Sequence, residues 1–378
     1  MHVVFLTMEY PPLPSGGIGT SVRNLGRALV RQGHRVSVLG TGPLMEFEDE
    51  GVRVRFIGET RVPKVGWLWD ARRVERELNR LVREEGADIV EAHDWGGVSA
   101  GVRPRCPIVV RCNGTDTYFA RLLQKRVRPS VRWAEGLALR SADDLVAVSR
   151  FTADVTRHLF NLRADFGVIP NGIDVTQFKP ATNGEVERNT ILYFGTLARK
   201  KGVLDLCRAF SGVVERNREA RLRLVGRDMR DQLSGSDSTW EVCRSLLSPA
   251  AQERVEYLGA QPYDRMQEYV RRASLCVFPS YAEAFPLSWL EAMASAKAVV
   301  AYDTGWAPEV IESGTSGVLV PPGDRESLAQ AIEELLAERT RARLLGQAAR
   351  CRVEKYFAAE VVARQTIARY EKVLGQGR

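Results

Sequence analysis

Short β-branched runs separated by segments of helical spacing recur through the whole chain, and no other feature limits its fold so sharply. HVVFLT, RVSVLG, VRVRFIG, DIVEAH, PIVVRC and DLVAVS fill the first half. Segments such as 21–32 and 69–85, whose apolar residues recur at helical spacing, lie between them. ILYFG, RLRLVG, VEYLG, LCVF, AVVAY and GVLV repeat the alternation in the second half. Strand, helix and strand in succession build βαβ units on a parallel sheet, so the class is α/β. A chain of 378 residues exceeds what one core serves. Two Rossmann-like domains with parallel sheets are therefore expected. The boundary is placed at residue 178, with a hinge in the polar stretch KPATNGEVERN (179–189).

Ligands of such sheets collect beyond the carboxyl ends of the strands, which makes the residues after each run informative. After the first run, Gly16, Gly17 and Gly19 allow close backbone approach, with Thr20 or Ser21 as the cap of the next helix. A dinucleotide fold would place G-x-G-x-x-G directly after the strand and an acidic residue after the second. Proline intervenes here and the second run ends in Gly40-Thr41-Gly42, which argues against NAD. AHDWGG sets His93, Asp94 and Trp95 at the end of the fourth run, and RCNGTD sets Asn113 and Asp116 after the fifth. A lone histidine is ordinarily structural, and Ser149 after the sixth run reads equally well as a helix cap.

In the second half, GTLARKKG gathers Arg199, Lys200 and Lys201 at a helix start, where cations oppose the dipole unless an anion sits between them. LCVFPSYAEAFPLSWLEAMA runs from a buried strand through a loop into a helix with Pro286 at its first position. The first-turn N–H groups of Leu287 and Ser288 then suit a phosphate. Glu283 and Glu291 flank that anion site, and beside a phosphate a carboxylate is best aimed at sugar hydroxyls. Two solvated glutamates would have the same spacing.

Glu283 to Ala294 resembles the E-G-F-P-x-x-x-L-E-A-M-A signature of retaining glycosyltransferases of family 4, with Ala284 in place of a glycine. AHDWGG is similar to the H-x-H-D-W of glycogen and starch synthases, with Glu91 for the first histidine. GTLARKKG resembles the family's G-R-L-x-x-x-K-G, with Thr196 for its arginine, and DTGWAPEV resembles its G-G-x-P-E-V, with Trp306 for a glycine. The resemblance implies a GT-B fold of two facing domains with an interdomain cleft: 1–178 for the acceptor, 179–357 for a nucleotide sugar, and 358–378 as a helix crossing back. It implies transfer of a hexose from a nucleotide-diphosphate sugar to an acceptor hydroxyl on a glycan, glycolipid or small molecule, with retained configuration. It casts His93, Lys201 and Glu283 as catalytic. Gly16, Gly17, Arg199, Lys200, Gly226, Ala284, Phe285, Pro286, Leu287 and Glu291 would bind the donor, and Trp95, Asn113 and Asp116 would line the acceptor or sugar cleft. Trp306 would narrow the pocket or stack on the ligand. A sugar-nucleotide epimerase of the same fold, or a non-catalytic sugar-nucleotide binding protein, is the alternative.

No cofactor and no metal are expected, since neither a D-x-D in a suitable loop nor a His/carboxylate cluster occurs. The net charge of +7 favours anionic partners. No nucleic-acid motif accompanies it, so nucleic acid is not expected. Residues 117–140 interleave Arg121, Lys125, Arg126, Arg128, Arg132 and Arg140 with Leu122, Leu123, Val127, Val131 and Trp133. That run is either a solvated face or a peripheral contact with an anionic membrane. Six scattered cysteines without a C-x-x-C pair, and no apolar run long enough for a span or leader, lead to a cytoplasmic expectation, extended to the inner face of the membrane.

Overall fold

The computed structural model describes residues 1–13, 16–58, 66–182 and 184–376. It divides into two compact units, Met1–Gly172 with Ala358–Arg378, and Ile173–Phe357.

The first unit is built on an eight-stranded sheet: β1 (His2–Thr7), β2 (Arg35–Thr41), β3 (Met45–Asp49), β4 (Val52–Ile57), β5 (Ile89–His93), β6 (Ile108–Cys112), β7 (Asp144–Ala147) and β8 (Phe166–Val168). Their order is β3-β4-β2-β1-β5-β6-β7-β8. Every residue of β1, β5 and β6 is buried, as expected where helices cover both faces of parallel strands. β3 pairs with β4 antiparallel, through a turn in which Glu50 and Gly51 both have positive φ (49° and 84°). No apolar run marks β3 or β8: MEFED is a half-exposed edge strand rich in acid, and β8 has three residues.

The last helix, Ala359–Gln376, belongs to this unit. Ala359, Val362, Ala363, Ile367, Tyr370 and Val373 enter one core with Phe5, Leu25 and Val36. Beneath it Arg111 Nε and Nη2 donate to the two oxygens of Glu91 (2.8 and 3.0 Å), and the Tyr370 hydroxyl donates to Glu91 Oε2 (2.7 Å). A buried ion pair is tolerable only when its remaining donors and acceptors are satisfied. Arg111 meets that condition by also bonding the Ile169 carbonyl and the Thr366 hydroxyl.

The second unit has six parallel strands: β9 (Thr190–Phe194), β10 (Arg221–Val225), β11 (Val255–Tyr257), β12 (Leu275–Phe278), β13 (Ala298–Tyr302) and β14 (Val318–Val320). Their order is β11-β10-β9-β12-β13-β14. All six are foreseen by their apolar runs. The division between the units falls six residues before the expected one, because Ile173 and Phe178 are fully buried within the second unit. Phe178 packs edge-on against Tyr263 at 5.9 Å, and its carbonyl accepts from Arg350 Nη1 (2.9 Å). The described residues of 179–189 are likewise part of this unit rather than a hinge: Glu187 pairs with Arg272 (2.6 Å) and Arg223 (3.1 Å).

Candidate functional site

In each sheet the strand order reverses beside a central strand, at β1/β5 in the first unit and at β9/β12 in the second. Loops leaving neighbouring strands in opposite directions open a crevice there, where doubly wound sheets hold ligands.

At β9/β12, Arg199–Lys201 follow β9 and residues 279–286 follow β12. Lys201 Nζ donates to Glu283 Oε1, joining groups 82 residues apart in sequence. The backbone fixes the two loops together, with Tyr281 N–H donating to the Lys200 carbonyl (2.9 Å). Gly202 has φ +70°, and a Cβ there would lie 1.7 Å from the Pro279 carbonyl oxygen. Gly226, after β10, has φ +150° and would likewise meet the Gly195 carbonyl at 1.9 Å. Only glycine permits these approaches. Lys201 is thus held near Glu283 by main-chain packing as well as by charge.

Arg199, Lys200 and Lys201 form one 3-10 turn ahead of the helix Val203–Arg216, and their charges go different ways. Arg199 Nε bonds Asp231 Oδ1 (3.0 Å) in a bidentate pair, and this hydrogen bonding holds the Asp231 carboxyl well below its ordinary range. Arg199 is therefore already balanced by a carboxylate, one that no sequence motif marks.

Glu291 lies on the helix Leu287–Ala294, fully buried, and accepts from the Tyr263 hydroxyl (2.8 Å). Burial pushes its pKa up to about 7, with Tyr263 opposing. The helix starts at Leu287, one residue later than expected, and Pro286 precedes it in extended conformation. The side chains of Ala284, Phe285 and Leu287 are buried, Phe285 against Phe357 at 5.5 Å. A ligand contact from 284–287 would consequently come from the main chain. Trp306 is buried as well, at 1% exposure, which corrects the expectation of a ring free to stack on a ligand.

At β1/β5, His93 closes β5 and is buried. Its Nε2 accepts from the Met8 N–H (3.3 Å), while Nδ1 makes no well-formed hydrogen bond among the described residues. Burial lowers its pKa to about 4, so the imidazole is neutral at pH 7. His93 and Asn113 share one small pocket with Ile18, Ser21 and Glu91. Asn113 Oδ1 is another buried acceptor without a partner among the described residues. Asp94 positions this loop: its two oxygens accept from the Asn113 and Gly114 N–H groups (2.8 and 3.1 Å). Burial raises the Asp94 pKa to about 7 despite those bonds. Trp95 Nε1 donates to Asp116 Oδ1 (3.0 Å), and the Asp116 N–H bonds buried Glu135 (2.8 Å). Ser149 is a helix cap, accepting from the Thr152 N–H (3.0 Å).

The glycine loop differs from expectation. The helix runs Gly17–Arg31 with Gly16 as its cap, so the glycines form the first turn rather than precede it. Glu9 Oε2 accepts from the Gly16 and Gly19 N–H groups (2.8 and 3.4 Å). A carboxylate thus occupies the anion position of this helix start.

Residues 15–177 match the family described as Glycosyltransferase Family 4, and residues 174–352 match Glycosyl transferases group 1. The chain belongs to glycosyltransferase family 4. A glycosyltransferase of Methanocaldococcus jannaschii is 28% identical, the match covering 98% of each chain. The sucrose-phosphate synthase of Thermosynechococcus elongatus superposes with a TM-score of 0.81 at 22% identity, covering 99% of both chains. The Anabaena protein HepE, solved in complex with UDP-glucose, gives 0.73 at 19%, covering 98% of this chain and 100% of that one. The fold is therefore GT-B, with two Rossmann-like units. These likenesses give no support to the epimerase or binding-protein alternative. Among the described residues no helix is long and apolar enough to cross a membrane, and no group of three His, Cys, Asp or Glu is placed to hold a metal ion.

Proposed function

We propose that this family 4 glycosyltransferase moves a hexose from a nucleotide-diphosphate sugar to an acceptor hydroxyl with retention of configuration and without a metal ion. The observation that carries the reading is the Lys201–Glu283 pair at the β9/β12 reversal, a cation and a carboxylate set side by side over the strand ends. A diphosphate would draw on Lys201, with Lys200 beside it, and the first-turn N–H groups of Leu287 and Ser288 add positive potential. Glu283, released from Lys201, would accept from hexose hydroxyls, and Glu291 from the ribose. HepE, solved with UDP-glucose, supports a donor of this class.

Charge developing on the leaving diphosphate is stabilised by these fixed cations in place of a metal. The anomeric C–O bond to phosphate breaks and the acceptor oxygen bonds the same face. The acceptor's proton passes to the departing phosphate oxygen. In the first unit, assigned to the acceptor, neutral His93, whose Nε2 already accepts from the Met8 N–H, can donate from Nδ1 to a sugar hydroxyl, and the Asn113 amide can donate or accept.

The test is a panel of nucleotide-diphosphate sugars read by thermal shift. Nucleotide release and the anomeric configuration of the product follow by proton NMR for each stabilising donor. An α-linked product from an α-linked donor is expected. Inversion, or no donor that stabilises the fold, would overturn the proposal.

A further inference from the structure

Two tyrosines converge on one buried carboxylate in the second unit. Asp205 lies in the first turn of the helix Val203–Arg216 and is 6% exposed. Its Oδ2 accepts from the Tyr281 hydroxyl and from the Tyr302 hydroxyl (3.3 Å), and its Oδ1 accepts from Arg325 Nε (3.0 Å). Tyr302 closes β13 and is fully buried, so packing alone accounts for it. Tyr281 differs. It belongs to the loop after β12 and is 37% exposed, so burial of its ring explains less. What marks Tyr281 is where its polar groups go. The N–H donates to the Lys200 carbonyl (2.9 Å) and the hydroxyl to Asp205, so both bonds land on the stretch 200–205 that carries Lys201. Two residues further along the loop, Glu283 accepts from Lys201. Burial and the Asp205 carboxylate push the Tyr281 hydroxyl up to about 12, which keeps it protonated and donating at neutral pH.

We propose that Tyr281 and Asp205 are positioning residues for sugar transfer: the bond between hydroxyl and carboxylate clips the loop bearing Glu283 to the turn bearing Lys201 and sets the spacing of those two charged groups. The inference deepens the transfer reading above and rests on it. Main-chain contacts at Pro279 and Tyr281 hold the loop along one edge, and the hydroxyl adds a second hold a ring's length away. Rate falls steeply when reacting groups are misplaced, a displacement of about 1 Å costing on the order of a hundredfold. A half-exposed tyrosine without this duty would exchange for phenylalanine at little cost.

The probe is whichever donor of the nucleotide-diphosphate sugar panel the wild type hydrolyses fastest, read as release of nucleoside diphosphate. A wild type that turns over none would defeat the transfer reading, and this inference with it. With the wild type active, Tyr281→Phe should lower kcat roughly tenfold to a hundredfold, while KM and the affinity for the free nucleoside diphosphate change by less than about twofold. Asp205→Ala should act alike, and Asp205→Asn, which keeps an oxygen to accept from Tyr281, should recover most of the rate. Tyr281→Phe retains the ring, so the test stands should Asp205→Ala not fold. Because Tyr281 acts through Glu283, Tyr281→Phe should cause no further loss in a Glu283→Ala background. Wild-type kcat in Tyr281→Phe would overturn the inference. So would the same proportional loss in the Glu283→Ala background, or a loss matched by a lowered unfolding midpoint.

Discussion

Glu291 is the candidate donor residue whose environment departs furthest from its ordinary chemistry. It is fully buried, its one hydrogen bond among those described comes from Tyr263, and its pKa stands near 7. Because the folded value lies above the unfolded one, the native state holds the proton longer. Stability is therefore lost as pH rises from about 4.5 to about 7 and is level above that. Glu291→Gln should remove that slope, gaining roughly 1–3 kcal/mol relative to wild type between pH 5 and pH 8, measured by urea unfolding at both. A carboxylate that must be ionised to accept from ribose hydroxyls also makes nucleoside diphosphate affinity rise between pH 6 and 8. The glutamine variant should lack that component, and parallel profiles in calorimetry would exclude Glu291 from the ribose. Lys201→Ala should lower kcat by on the order of 10² to 10³, since it removes a fixed cation where negative charge develops. Wild-type turnover at saturating donor would make Lys201 a structural partner of Glu283 only. Sequence singles out Lys201, Glu283 and Glu291 from their motifs. It gives no sign that Lys201 and Glu283 pair, because that depends on which strands are neighbours, nor that Arg199 is balanced by Asp231 in a segment without a recognisable pattern. Asp94 is visible as a letter beside His93, yet its role in holding the Asn113–Gly114 backbone needs the adjacent strand to be in place.

At the scale of elements, what sequence reveals follows burial. In the second unit β9, β12 and β13 are fully buried because helices cover both faces of a parallel sheet, and they are foreseen along with the less buried β10, β11 and β14. β3 escapes because an edge strand alternates acid with apolar residues, and the first turn of the helix Gly17–Arg31 escapes because glycines read as loop. The crevice at β9/β12 depends on Gly202, whose left-handed backbone and missing side chain let two loops touch. Gly202→Ala should cost more than about 2 kcal/mol in urea unfolding, through both strained φ and a clash with the Pro279 carbonyl. A midpoint within error of wild type would mean that the loops separate readily. The last helix supplies a milder case. Tyr370→Phe takes one donor from buried Glu91 and should cost about 1–2 kcal/mol, because Arg111 still holds the carboxylate.

For the whole molecule, the account assigns a sugar nucleotide to the second unit and an acceptor hydroxyl to the first. In the proposed reaction fixed cations and a helix start would take the place of a divalent metal, so transfer should proceed unchanged in EDTA. Loss of activity that Mg²⁺ or Mn²⁺ restores would show that the phosphate site has been misassigned. The central claim is that the hexose lies at Glu283 and the nucleotide at Glu291, and calorimetry of a free nucleoside diphosphate on Glu283→Ala and Glu291→Ala, beside steady-state kinetics, tests it most directly. Glu291→Ala should lose about 1.5–3 kcal/mol of nucleotide affinity, with the larger change in KM. Glu283→Ala should keep nearly all of that affinity and lose kcat, as expected for contacts that strengthen in the transition state. Equal losses of nucleotide affinity in the two variants would contradict the account.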